Sequence, residues 1–201
     1  MVVHQQWCFS ARRIASMTGM IELLRKEHQD IEKLLLVLEE ELSVFGRRER
    51  PDYEILQGII SYFQDYPDCC HHPKEDMIFE KLKERDPVVA ATVGDLEVEH
   101  LDEAERLRRV ADVIRKALSN QDVSRQTFEN VMRDFIVHQR QHMIMEERVV
   151  FPASINCLYP GDWTEIDVKW NREKDSMFNV AMEEKCHSLR DRILQWQRER
   201  G

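Results

Sequence analysis

Glycine and proline are scarce in this chain, with six of each among 201 residues. Their scarcity, together with 33% charged residues and apolar runs at helical spacing, indicates an all-α protein. The chain is long enough to bury one sizeable core without the help of disulfides. No apolar run approaches the roughly 18 residues that a membrane span needs, so we expect no membrane segment.

Cysteine is sparse as well, and no two cysteines form a CxxC pair. Their odd number indicates reduced intracellular thiols rather than a disulfide framework, which predicts a cytoplasmic protein. For the adjacent Cys69 and Cys70 we favour packing as small apolar groups over a redox role. The net charge of −9 argues against nucleic acid or an anionic membrane as the main partner. The five cysteines are Cys8, Cys69, Cys70, Cys157 and Cys186.

The first residues differ in composition from the rest, because residues 1–19 contain two arginines and no acidic residue. This pattern fits an organellar presequence or a disordered, mis-started extension, and we favour the extension. The folded domain is therefore expected over residues 20–153. Residues 154–201 are predicted to form a C-terminal loop, with a turn at Tyr159–Trp163, and a packing helix.

Four amphipathic helices are predicted, each with one histidine inside its apolar stripe. Pro67 and Pro73 lie inside the pattern of the second helix and predict a kink near Tyr66–Pro67. The helices run from Ile21 to Phe45, from Asp52 to about Leu82, from Leu96 to Leu118 after a turn at Thr92–Asp95, and from Ser124 to Phe151, where Pro152 ends the last. The histidines are His28, His71, His100 and His142.

Two of these histidines are followed by a glutamate four residues later, in the pairs His71–Glu75 and His142–Glu146. Residues four apart project from one helical face, so an imidazole and a carboxylate placed this way can share a metal ion. In four-helix bundles that hold two metals, such ligands point into the core from facing helices. Uncompensated polar groups in a core cost several kcal/mol, which favours a metal site over coincidence.

Several of these motifs resemble those of the hemerythrin-like, HHE cation-binding family over about Ile21 to Ala153. The resemblance implies an up-down-up-down antiparallel four-helix bundle, here with an additional C-terminal helix, that holds two non-haem irons. Members bind dioxygen, sense oxygen, iron or nitric oxide, or handle peroxide. The motifs are His28, the run HHPKED at residues 71–76, His100, and HMIMEE at residues 142–147 followed by Phe151-Pro152.

The resemblance also implies a ligand set. One iron would be bound by His28 and His71 and the other by His100 and His142, with Glu75 and Glu146 as carboxylate bridges. Nitrogen and carboxylate ligands suit iron, and manganese or zinc are possible substitutes.

The chain departs from hemerythrin proper at Ala104, where that protein has a second histidine four residues after the one matching His100. Hemerythrin also spaces its last carboxylate five residues after the histidine, which would point to Glu147. The missing ligand could come from His72, Glu103 or His138, and we favour His72 because it lies inside the HHPKED run.

Two function classes stay open at this point. The first is a non-catalytic di-iron module that binds or senses dioxygen, nitric oxide or iron. The second is an enzyme in which the same centre decomposes peroxide or oxidises a small substrate. A metal-free helical interaction domain would require all four histidines to be coincidental. The helix predicted from Lys174 to Arg200 would pack across the bundle or onto a second copy, which allows a homodimer.

Overall fold

A series of helices makes up nearly all of the computed structural model, which describes residues 3–119, 121, 123–174 and 177–200 and, of residues 3–18, 177, 178 and 200, the backbone alone. Two short π-helical segments interrupt the series, at Pro67–His71 and at Glu146–Val150. The α-helices are α1 (Val3–Gly46), α2 (Tyr53–Tyr66), α3 (His72–Arg85), α4 (Pro87–Leu118), α5 (Arg125–Met145), α6 (Phe151–Cys157), α7 (Pro160–Lys174) and α8 (Met177–Arg200).

Four long rods form an up-down-up-down bundle, which confirms the predicted fold. The rods are α1, α2 with α3, α4, and α5 with α6, and each π-helical segment joins the two α-helices of its rod. The connections between rods are short, so neighbours along the chain run antiparallel. Two clusters of buried apolar side chains fill the bundle, one at each end of the histidine level. The metal-binding candidates lie between them.

The start of the third rod was predicted wrongly. Residues 92–95 form no turn, because α4 already begins at Pro87. Asp86 caps this helix by accepting from the backbone N–H groups of Val88 and Val89, and proline is well suited to the first helical turn. Asp52, the predicted start of the second helix, caps α2 in the same way, since its carboxylate accepts from Glu54 N at 2.9 Å.

The first rod also starts earlier than expected, because α1 begins at Val3 rather than near Ile21. The interpretation of residues 1–19 as an extension outside the folded domain stays a prediction. The first described side chains of α1 that are buried are Met20 and Ile21, so the contribution of this helix to the core begins there.

The predicted irregularity at Tyr66–Pro67 is confirmed by the π-helical segment Pro67–His71. Cys69 and Cys70 lie in this segment and are joined by a disulfide between adjacent residues. This corrects the expectation that both are reduced, packed thiols. Sequence spacing rules address pairs such as CxxC and give no signal for a bond between neighbours that share one distorted turn.

The fourth rod continues past Pro152, which does not end it. The second π-helical segment, Glu146–Val150, precedes the proline, and Pro152 falls in the first turn of α6, where its missing N–H is tolerated. A π-helical turn contains more residues than an α-helical one and therefore shifts the helical register. For this reason Val150 is buried, whereas Val149, which would share the core face of Glu146 in a regular α-helix, is 37% exposed.

The C-terminal residues add two helices to the bundle. The turn predicted at Tyr159–Trp163 is largely the start of α7, whereas the last predicted helix is confirmed as α8. Helix α8 packs on α2 of its own chain, where Ile193 comes so near that a Cβ at Gly58 would lie 3.3 Å from it. A homodimer through α8 stays a prediction. None of the described helices is long and apolar enough to cross a membrane.

Candidate metal centre

Six of the seven predicted ligands meet in the middle of the bundle and form two groups of four. Within each group, one ligand atom from every member lies within 4.8 Å of the others. The two groups share both glutamates, so each carboxylate faces both groups. One group is His28, His71, Glu75 and Glu146, and the other is Glu75, His100, His142 and Glu146.

The nitrogens that face the centre are the Nε2 atoms. His71 Nε2 lies 3.0 Å from Glu75 Oε1, and His142 Nε2 lies 3.2 Å from Glu146 Oε1. His28 Nε2 lies 3.5 Å from Glu75 and 3.3 Å from Glu146. The two glutamates are fully buried, and among the four histidines His100 has the most exposed side chain, at 10%.

Five atoms of this centre are buried without a hydrogen-bond partner in the described part of the chain, namely His28 Nε2 and all four oxygens of Glu75 and Glu146. Buried polar atoms are normally satisfied, and leaving a carboxylate oxygen unpaired is costly. A cation bridged by the two carboxylates would give each of these atoms a partner. The residues present therefore fit a pair of metal ions.

Carboxylates stand behind the histidines and fix their orientation. Glu27 lies 2.8 Å from His71 Nδ1 and Glu99 lies 2.9 Å from His142 Nδ1, so each Nδ1 can donate outward while Nε2 faces the centre. Metal-binding histidines commonly have such a carboxylate partner, which sets the tautomer and the ring orientation. Glu147 lies 3.1 Å from His28 Nδ1 in the same way.

A comparison with protein families identifies the domain that contains this candidate centre. A family model described as hemerythrin HHE cation binding domain matches residues 19–154. The chain belongs to this family. The comparisons with curated proteins and with solved structures give no match. The matched range contains all six residues of the two groups and ends before α7 and α8.

In the protein without metal, the imidazoles of His28 and His142 in the candidate centre carry protons that face the carboxylates of Glu75 and Glu146. Burial alone would lower the pKa of His28, but the carboxylates of Glu146 and Glu75 outweigh it and raise the pKa to about 10. Burial would also lower the pKa of His142, but Glu146 outweighs it and raises this pKa well above its usual range. Burial and the neighbouring His72 lower the pKa of His100 to about 4. Protons on the other imidazoles thus take the place of cations beside the two glutamates.

The seventh predicted ligand, His72, lies outside both groups. Its Nε2 lies 3.3 Å from Glu103 Oε2, its Nδ1 lies 3.3 Å from Asp68, and its ring stacks on His100 with centroids 3.9 Å apart. Glu103 is buried and accepts from Gln139 Nε2 at 2.7 Å. His72 therefore joins a polar chain beside the HHE centre, and its role as the replacement ligand stays a prediction.

The position of the missing histidine opens to solvent. Ala104 is exposed, although its place in the stripe predicts a core position. It lines a pocket of about 310 Å³ that also touches His100 and Glu103. The other two candidates for this place differ in position: Glu103 is buried beside the pocket, whereas His138 is only partly buried and contacts neither group.

Two further carboxylates, from Asp76 and Glu147, lie behind an imidazole of the centre. Glu147 contacts His28, as described above, and Asp76 Oδ1 lies 3.8 Å from His100 Nδ1. Glu27 and Glu99 were missed by the sequence analysis. The signal for them is a repeated Glu-His dipeptide, since each of these glutamates immediately precedes a ligand histidine.

Proposed function

We propose that this HHE domain protein is a non-haem di-iron protein that binds or senses a small molecule such as dioxygen or nitric oxide, or senses iron itself. The observation that carries the proposal is the pair of four-residue groups that share Glu75 and Glu146, whose buried oxygens have no hydrogen-bond partner among the described residues. Imidazole and carboxylate ligands suit iron, with manganese or zinc as substitutes.

A bound iron pair would supply redox change and coordination positions for a small ligand. The chain supplies the surroundings. The Phe151 ring stacks on His28 at 5.5 Å, and the Phe79 ring stacks on His100 at 6.0 Å. Both phenylalanines are fully buried, so each shields one face of its histidine from water. A dry, apolar wall strengthens charge interactions inside the centre.

The test is metal content together with absorption. After anaerobic loading with Fe²⁺ and gel filtration, we expect two irons per chain, and exposure to air should produce the near-ultraviolet band of a coupled diferric pair. The double variant Glu75→Gln/Glu146→Gln is the control, because it keeps the shape of the core and removes both bridges. A parent protein that retains no iron above this control contradicts the proposal.

A second candidate, an enzyme that decomposes peroxide, is favoured by the pocket at Ala104, which leads from solvent to His100. Its volume of about 310 Å³ is ample for hydrogen peroxide. Peroxide consumption by the iron-loaded protein separates the candidates. We expect Ala104→Leu to slow an enzyme that admits peroxide through this pocket while leaving iron content unchanged. Consumption no faster than that of the double glutamine variant would leave the binding or sensing role.

A further inference from the structure

The metal centre consists of two halves with matching inner parts. In each half, a Glu-His dipeptide on one rod faces an HxxxE pair on another, and the glutamate of the dipeptide contacts Nδ1 of the histidine in that pair. The first half is Glu27, His28, His71 and Glu75. The second half is Glu99, His100, His142 and Glu146.

The halves differ at the residue three positions after the histidine of the HxxxE pair. This residue is Lys74 in the first half and Met145 in the second. Lys74 is fully buried, and its Nζ donates to Glu27 Oε1 at 2.7 Å and to the carbonyl of Cys70. Met145 is 41% exposed. The first half therefore has a buried cation behind its outer glutamate, at a position where the second half has a solvent-facing thioether.

The C-terminal helices add to this difference. The ring of Trp170, on α7, lies 4.7 Å from Lys74 Nζ and is itself buried. Contact between an ammonium and an indole face is favourable, and more so away from water. Helix α7 begins at Pro160, beyond the family match, which ends at residue 154. A segment outside the HHE domain thus covers Lys74, which holds the carboxylate behind His71.

The carboxylate behind His142 is open by comparison with the one behind His71. The side chain of Glu99 is 40% exposed, whereas that of Glu27 is 7% exposed. The other histidine of each half borders a solvent pocket, because the pocket at Ala104 reaches His100 and a pocket of about 550 Å³ beside Glu147 reaches His28. Water can therefore compete for the groups that orient His142 and can approach His100, but it is excluded from the chain Trp170, Lys74, Glu27, His71.

We propose that Lys74 and Trp170 are positioning residues that hold the metal of the first half firmly, so that the metal of the second half is the exchangeable one. Lys74 keeps the Glu27 carboxylate in place, Glu27 accepts from His71 Nδ1, and His71 Nε2 is thereby aimed at the metal. Loss of such an outer contact typically lowers metal affinity about 10- to 100-fold. This inference rests on the proposed function, because it assumes that the centre holds two metals.

The experiment follows the release of iron from the full-length protein. The parent is loaded with two Fe²⁺ per chain without oxygen and mixed with a chromogenic Fe²⁺ chelator. We expect two phases of equal amplitude, a fast one from the second half and a slow one from the first. Lys74→Met gives the first half the residue that the second half has, and should accelerate the slow phase about 10- to 100-fold while leaving the fast phase unchanged.

Two further variants separate positioning from packing. Lys81→Met is the matched control, because Lys81 also links α3 to α7, through Glu165 at 2.7 Å, but does not contact Glu27. It should release iron as the parent does. Trp170→Phe keeps an aromatic face over Lys74 and should accelerate the slow phase less than Trp170→Leu.

The double variant Glu27→Gln/Lys74→Met guards against misfolding. It leaves no buried carboxylate without its cation, and the amide oxygen of the glutamine can still accept from His71 Nδ1. We expect it to recover much of the slow phase that Lys74→Met loses. Parent-like release in Lys74→Met and in Trp170→Leu, or a single phase in the parent, would overturn the inference while the metal centre stands. A parent that binds no iron would overturn the proposed function and this inference together.

Discussion

Replacing Glu75 with glutamine should remove most of the metal from both positions of the centre. The Glu75 carboxylate faces both groups, because its Oε1 lies 3.0 Å from His71 Nε2 and its Oε2 lies 3.6 Å from His100 Nε2. It is fully buried, so no water is at hand to replace it. Glutamine preserves the volume and removes the charge, which isolates the electrostatic contribution.

The expected loss of metal affinity depends on the number of metal ions that Glu75 would bind. Loss of an outer contact alone lowers affinity about 10- to 100-fold. A direct ligand should cost at least the upper figure at each ion that it touches, which is about 2.8 kcal/mol per ion at about 1.4 kcal/mol per factor of ten. Because Glu75 touches both groups, we expect affinity to fall by about 100-fold or more at both positions rather than at one.

Iron content after gel filtration and equilibrium dialysis against a competing chelator measure this loss. His72→Ala is the comparison, because His72 belongs to the same run of sequence but its Nε2 faces Glu103 at 3.3 Å. We expect this variant to lose at most one iron, because His72 lies outside both groups and could serve only the ion next to His100. Equal iron content in Glu75→Gln and the parent would refute the bridging assignment, and loss of one iron in His72→Ala would instead support His72 as the replacement ligand.

Three further predictions concern protons, the missing histidine and a helix cap. Metal uptake at pH 7 should release protons, and apparent affinity should rise with pH, because the raised pKa of His28 keeps it protonated in the metal-free protein. When a chelator keeps the protein free of metal, folding stability depends on pH in the opposite direction. The stability due to the raised pKa of His28 is complete below pH 6.5 and is lost as pH rises through about 10, which urea unfolding would measure. Ala104→His should slow release of the exchangeable iron, because it places an imidazole one turn from His100. Asp52→Ala should lower the free energy of unfolding by about 1 kcal/mol, because the N–H groups of Glu54 and Ile55 lose their acceptor.

The fold and the meeting of six predicted ligand residues in the core were predictable from the sequence, because both follow helical periodicity. Each ligand histidine lies in an apolar stripe, and a stripe fixes which face of a helix is buried. The spacing His142–Glu146 likewise selected the carboxylate that faces both groups rather than Glu147, although hemerythrin proper has the longer spacing. Local rules thus sufficed wherever a side chain's role depends on its own helix.

Contacts between helices were beyond these rules. Glu27 and His71 are 44 residues apart, and the hydrogen bond between them depends on how α1 packs against the rod of α2 and α3. Lys74 offers no local sign of burial either, since a lysine in a charged run normally faces solvent. Its environment is completed by Trp170, on α7, in a stretch that the sequence predicts only as a C-terminal loop.

The two π-helical segments show why the ligand level was harder to predict than the rest of each rod. His71 is the last residue of the first segment and Glu146 is the first residue of the second, so both segments meet the metal centre. The first segment is predicted by Pro67, because proline has no N–H to donate to the preceding turn. The second segment has no proline inside it, and the sequence predicts that Pro152 ends the helix. Hydrophobic periodicity cannot predict a register shift that no proline marks. In the structure, the shift is seen in the burial of Val150 in place of Val149. The same wide turn places Glu146 in the centre and Glu147 behind His28, so two successive carboxylates serve one histidine from opposite sides of its ring.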